Sequence, residues 1–199
     1  MTNLYVFHPT PLMVAKLDQL ICELAPALRH ENLIYPEMLD EVRVDGITDA
    51  IREKLRSIIT GVPQDTAAVI LCSCSTLGGC AEEMSGLTKN TIIRIDRPMA
   101  EAAVSMGRRI GLAAALDTTL LPTRALLDET AKRAGRAIQI REISCNAAWE
   151  HWMRGDERAY ITEIVSVLRA NAEGLDVIVL AQGSMAGAEA FADDVGVPI

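Results

Sequence analysis

The order of elements along the first half of the chain is written again along the second, and this repetition constrains the fold more than any single motif. Leu4 to Phe7 is a short apolar run, followed by Thr10 and Pro11. A hydroxyl N-cap with proline at the first helical position predicts a helix start there, and Pro26 limits that helix to about Ala25. A second short strand is expected near Leu33 to Tyr35. A helix is expected from about Thr48 to Thr60, with Ile51, Leu55, Ile58 and Ile59 on one face and Gly61 as its stop. The run from Ala67 to Cys72 then predicts a buried strand. In the second half the matching runs are Ile110 to Ala115, a helix from about Leu121 to Ala134, Ile138 to Ile143, a helix from about Glu157 to Asn171, and Val177 to Leu180.

Matching positions differ by one offset. Thr10 and Thr119, Ile34 and Ile143, Leu55 and Ile164, and Ser75 and Ser184 are each 109 residues apart. The expectation is an internal duplication: two βαβαβ halves, each a small parallel sheet flanked by helices, related by a pseudo-twofold axis. The first subdomain is expected over residues 3–104 and the second over 105–199, the latter expected to stop at Gly196 to Ile199 without a counterpart of the first half's last helix. In parallel α/β sheets ligands bind outside the carboxyl ends of the strands, so two such halves would share one cleft. The offset pairs Cys74 with Gly183 across it.

Composition supports this class. Half of the 199 residues are apolar and only 4% are aromatic, so the core must be built from aliphatic side chains and Met, as in a buried parallel sheet. The net charge of -8 argues against nucleic acid or an anionic membrane as main partner. The N-terminus has no basic segment ahead of an apolar one, and no stretch reaches the roughly 20 apolar residues that span a bilayer. Five cysteines without a secretory signal read as free thiols, and the expected location is cytoplasmic. A small molecule rather than a macromolecule is the expected partner, with a homo-oligomer as a further expectation.

The chemistry concentrates in Ile70 to Gly79, where a buried strand runs into Cys72, Ser73, Cys74, Ser75 and Thr76 and then a double glycine. A helix starting near Leu77 would present unpaired N–H groups, an anion site that also favours thiolate. Cys74 is therefore read as the reactive thiol, Cys72 as packing beneath it, and Cys22, on an apolar helix face, as structural. Cys145 and His8 end strands and are candidates for a second acid or base. Thr10, Thr118 and Thr119 follow the first strand of each half and can cap helices or donate to a carboxylate. The second half's last loop carries Gln182, Gly183 and Ser184: a hydroxyl and no thiol. Walker A, G-x-G-x-x-G and G-x-S-x-G patterns are absent, and no metal-ligand spacing occurs, so no cofactor or metal is expected.

These features resemble the aspartate/glutamate/hydantoin racemase superfamily. The resemblance rests on Ile70 to Gly79, Arg94 to Ala100, Arg109 to Thr119 and Val177 to Ala186, and covers nearly the whole chain. It implies cofactor-independent proton transfer at a carbon α to a carboxylate, with a cysteine from each half flanking that carbon. By this resemblance Cys74 matches the first cysteine, Ser75 and Thr76 the residues that hold the substrate carboxylate, and Thr118 a threonine of similar role. The second cysteine has no match, since Gln182, Gly183 and Ser184 stand in its loop. The Asp-Ser-Gly loop of glutamate racemases is replaced by His8-Pro9-Thr10. The superfamily also contains one-cysteine arylmalonate decarboxylases and maleate isomerases, so one-sided chemistry is the alternative, and a non-catalytic carboxylate-binding protein is another.

Overall fold

The computed structural model describes residues 3–64 and 67–199. It divides into two compact units, one ending at Ile95 and the other starting at Asp96. Each is a parallel α/β unit. The first has strands β1 (Leu4–His8), β2 (His30–Ile34), β3 (Val69–Cys72) and β4 (Thr91–Arg94) in the order β2-β1-β3-β4. Helices α1 (Val14–Leu24), α2 (Glu37–Asp45), α3 (Asp49–Gly61) and α4 (Ser75–Glu83) flank this sheet. The second unit opens with α5 (Arg97–Met106) and continues with β5 (Arg109–Ala114), α6 (Leu120–Arg133) and β6 (Gln139–Ser144). It ends with α7 (Trp149–Met153), α8 (Glu157–Asn171) and β7 (Val177–Leu180), its sheet running β6-β5-β7. All strand pairs are parallel.

Both sheets obey the alternation of a strand covered on two sides. In β1, Tyr5 and Phe7 face a core with Ile51, Leu55 and Ile59 of α3 and Leu77 of α4, while Leu4 and Val6 face Leu17 of α1. In β5, Ala113 packs with Ile164 and Leu168 of α8, and Ile110 and Leu112 with Leu126 and Leu127 of α6. The helix α5 belongs to this second core through Ala100, Ala103 and Val104, so the division falls at residue 95 rather than 104. Val177 and Val179 of β7 are buried in that cluster, whereas Val69 and Leu71, on the corresponding face of β3, are only partly buried.

The repeat is present in the topology, with the order of β2-β1-β3 reproduced by β6-β5-β7, but its offset is not constant. Leu4 pairs with His30 and Val69, while Ile110 pairs with Ile140 and Val177. With these registers the ends of β1, β2 and β3 map onto those of β5, β6 and β7 at offsets of 106, 110 and 108. The offset of 109 survives in the helices, where Ile51, Leu55 and Ile59 correspond to Tyr160, Ile164 and Leu168, all buried. At the strand ends it fails: Cys74 corresponds to Gln182, Ser75 to Gly183 and Thr76 to Ser184. Cys74 is the extended N-cap of α4, and Gln182 is the extended N-cap of the 3₁₀ segment Gly183–Phe191.

Two short helices, α2 and α7, lie where the sequence pattern suggested none. The helix after Thr10 is divided into a 3₁₀ turn, Pro11–Met13, and α1. Cys22 is exposed on α1, which corrects its reading as a structural residue. Among the described residues no helix is long and apolar enough to cross a membrane.

Candidate functional site

Cys74 stands at the carboxyl end of β3, one residue beyond the last sheet contact, where Ser73 N–H donates to Phe7 O at 3.1 Å. As the N-cap of α4 it has φ -117° and ψ 116°, so the first-turn N–H groups of the helix begin at its own peptide. No side chain caps those groups, and the first turn contains no acidic residue. The helix end thus offers its field to an anion or a thiolate. Beneath it the Cys72 thiol donates to the Cys74 carbonyl at 3.6 Å, which fits the reading of Cys72 as packing residue. Cys74 itself is 9% exposed.

Two residues on, Thr76 is 3% exposed and its Oγ1 has no hydrogen-bond partner. A threonine in a helix normally returns its hydroxyl to a carbonyl one turn earlier. This one does not, and a buried hydroxyl without a partner is costly. Gly78 is explained by packing: a Cβ there would lie 2.9 Å from Arg94 Nε, and Arg94 of β4 is itself buried and donates to Ser75 O at 3.4 Å. The glycine lets β4 and the arginine run close under the first turn of α4.

His8, at the end of the adjacent strand β1, is fully buried inside a polar chain. Its Nε2 is 3.0 Å from Asn32 Oδ1, and Asn32 Nδ2 donates to Asp18 Oδ1 at 2.8 Å. His30 Nε2 also reaches Asp18 Oδ1, at 2.8 Å. Because the Asn32 amide must turn its nitrogen to the carboxylate, its oxygen accepts from His8, and the His8 proton sits on Nε2. Nδ1 is then an acceptor, 3.1 Å from Ser73 Oγ, whose single hydrogen is shared between it and Phe7 O at 2.9 Å. Burial holds the His8 pKa below 6.5, against a smaller upward pull from Asn32. The sequence signals His8 as a strand-end residue and Ser73 as part of the polar loop after β3, but nothing in it marks Asn32 of β2 or Asp18 of α1, or ties either to His8. Thr10 serves the turn after β1, its Oγ1 accepting from Leu12 N at 3.4 Å.

In the second unit the corresponding loops carry Thr118, Thr119 and Gln182 to Ser184. Thr119 is buried and donates to Leu116 O at 2.7 Å, so it closes its own turn. Thr118 Oγ1 is buried without a partner, as Thr76 Oγ1 is. Gln182 Oε1 accepts from the N–H groups of Ala115 and Leu116, at 2.7 and 2.9 Å. Gly183 is exposed, and the hydroxyl of buried Ser184 is paired with Tyr160 Oη at 2.9 Å. Cys145 follows β6, is 1% exposed, and burial pushes its thiol up to about 11, with Glu163 adding to the shift. It is a neutral thiol near pH 7 and a poor base.

Solved structures give the fold its relatives. The glutamate racemase of Francisella tularensis, in complex with D-glutamate, superposes with a TM-score of 0.67 at 12% identity, over all of this chain and 76% of that one. The allantoin racemase of Pseudomonas fluorescens gives 0.56 at 19% identity, over 99% of this chain and 84% of that one. The chain shares its fold with these two racemases. No protein-family model and no curated protein sequence matches the chain. At these identities the likeness is one of architecture, and the chemistry has to be argued from the residues.

Proposed function

We propose that the protein is a cofactor-independent enzyme of the racemase or epimerase type. It would move a proton at the carbon α to a carboxylate of an amino acid, hydantoin or related small acid, with the Cys74 thiol as acid and base. The observation that supports this most is the start of α4: a cysteine N-cap at a strand's carboxyl end, uncapped N–H groups, and the unpartnered hydroxyl of Thr76 within the same turn. The N–H groups and the Thr76 and Ser75 hydroxyls suit a carboxylate, and the same helix end favours the thiolate needed to take the α proton. The racemase architecture of the relatives is consistent with this assignment.

A second reading is favoured by the strand registers. The counterpart of Cys74 is Gln182, a primary amide that neither gives nor takes a proton near neutral pH. Inversion needs an acid or base on each face of the carbon, whereas protonation on one face needs a single thiol. A one-cysteine decarboxylase or isomerase of the same fold therefore stands beside the racemase reading, with Cys145 and His8 as the remaining candidates for a second group.

Because Cys22 is exposed, thiol labelling belongs in a Cys22→Ser background. There iodoacetamide should modify Cys74 ahead of Cys72, Cys80 and Cys145. Amino acids, hydantoins and malonates incubated in heavy water should show solvent exchange or decarboxylation with at least one acid, and Cys74→Ala should abolish it. Full exchange by Cys74→Ala with that acid refutes the reading, and a folded protein that binds acids but never exchanges them is a binding protein.

A further inference from the structure

Gln182 is held in a way that decides what its side chain can do. Both groups that approach its Oε1 are backbone N–H donors, of Ala115 and Leu116 at the end of β5. A carboxamide has one acceptor atom and one donor atom at its tip, so two fixed donors leave a single orientation. The amide nitrogen then points away from these peptides with both hydrogens; it has no protein partner among the described residues and is open to solvent rather than a buried unpaired atom. The residue is half-buried, and as N-cap of Gly183–Phe191 its backbone is extended, which fixes the stem as well as the tip. Two residues past Leu116, in the turn Asp117–Thr119, the buried Thr118 Oγ1 also has no partner. Asp117, the acidic residue of that turn, accepts from Asn146 Nδ2 at 2.8 Å.

We propose that Gln182 is a preorganised amide N–H donor to a substrate oxygen, holding one carboxylate, or the enediolate it becomes, together with the Thr118 hydroxyl. At the position that corresponds to Cys74, the second unit thus has a fixed dipole in place of an acid or base. A donor whose orientation is set before the ligand arrives costs little reorganisation when negative charge develops on the oxygen. This role rests on the proton-transfer reading of the Cys74 loop and narrows it: position 182 stabilises charge while protons move elsewhere.

Gln182→Glu separates this role from a structural one. A glutamate keeps an oxygen for the Ala115 and Leu116 N–H groups but replaces the amide donors with a negative oxygen. Gln182→Met, of similar length, removes both. Titration calorimetry with malonate, D-glutamate and L-glutamate should find at least one ligand of the wild type, and Gln182→Glu should bind it at least about tenfold more weakly while melting within about 2 °C of wild type. Gln182→Met should weaken binding and also lower the melting temperature. Unchanged affinity in Gln182→Glu overturns the proposal, as does failure of all three acids to bind the wild type. If Cys74 proves unreactive to iodoacetamide while the affinity loss holds, the proton-transfer reading falls and the donor role stands.

Discussion

Replacing Tyr160 by Phe removes one oxygen from the interior of the second unit and leaves another without a partner. Tyr160 is 0% exposed, Ser184 is 6% exposed, and their hydroxyls meet at 2.9 Å. Burial pushes the phenol up to about 12, so the pair is neutral throughout the ordinary range of assays. Either single truncation strands a buried hydroxyl, which costs about 1–2 kcal/mol. The double variant Tyr160→Phe, Ser184→Ala strands neither and should cost about 1 kcal/mol in all, so the cycle should give a coupling of about 1–3 kcal/mol. For a chain of this size each single variant would melt roughly 2–8 °C lower. Both tryptophans, Trp149 and Trp152, lie in the second unit, and the Trp152 ring is 5.1 Å from that of Tyr160. Urea unfolding followed by tryptophan fluorescence therefore reads the unit in question. Additive single and double variants, or single variants without cost, would show that the two hydroxyls do not depend on one another.

Gly78→Ala gains about 1 kcal/mol of helix propensity but forces a Cβ to 2.9 Å from Arg94 Nε, in the middle of a buried side chain. Overpacking of this kind costs about 1–3 kcal/mol, so urea unfolding should show a net destabilisation of up to about 2 kcal/mol; a stabilised variant would refute the packing account. His8 predicts a pH dependence with a defined sign. Its folded pKa is held below 6.5, so as pH falls through 6.5 the unfolded chain binds the proton first, and stability drops until the folded pKa is passed. Stability measured by urea between pH 8 and the acid limb should fall in that window, and His8→Gln should flatten it. The Asp18 carboxyl, held below 3.8 chiefly by its bond from Asn32, contributes only at lower pH and is separable.

Most of the fold was legible because its signals are local. Apolar runs such as Val177 to Leu180 mark buried strands, and the stripe Ile51, Leu55, Ile59 marks a helix face whatever its partners. Thr48 before α3 and Gly135 after α6, the latter with φ 64°, punctuate helices in the expected way. What escaped depends on packing between segments. The helix α7 is five residues long, too short for a period to show. The placement of α5 depends on whether Ala100, Ala103 and Val104 find the first or the second sheet, and no pattern within the helix distinguishes them. Cys22 occupies an apolar helix whose buried stripe is narrow: Leu17 is its sole buried residue, and Leu20 and Leu24 are exposed.

The candidate site was legible as a set of loops but not as a set of correspondences, and the register of the strands gives the reason. Side chains alternate faces along a strand, so two related strands must be offset by an even number of residues relative to one another if their cores are to match. An offset of 109 for every element would have kept the hydroxyls of Ser75 and Ser184 together and preserved the pairing of the first strand with the third, but the observed register excludes it: Leu4 pairs with Val69, whereas Ala113, 109 residues after Leu4, pairs with Leu180 and not with Ile178. The observed offsets of 106, 110 and 108 share a parity, so that Phe7 and Ala113 face corresponding cores, as do Val6 and Leu112. Helices tolerate the odd value, because a displacement of one residue turns a buried stripe by part of a turn rather than to the opposite face. The consequence for chemistry is one residue wide. It takes Gly183, which has no side chain, away from the position opposite in role to Cys74 and puts there Gln182, whose carboxamide is already oriented by two peptide N–H groups.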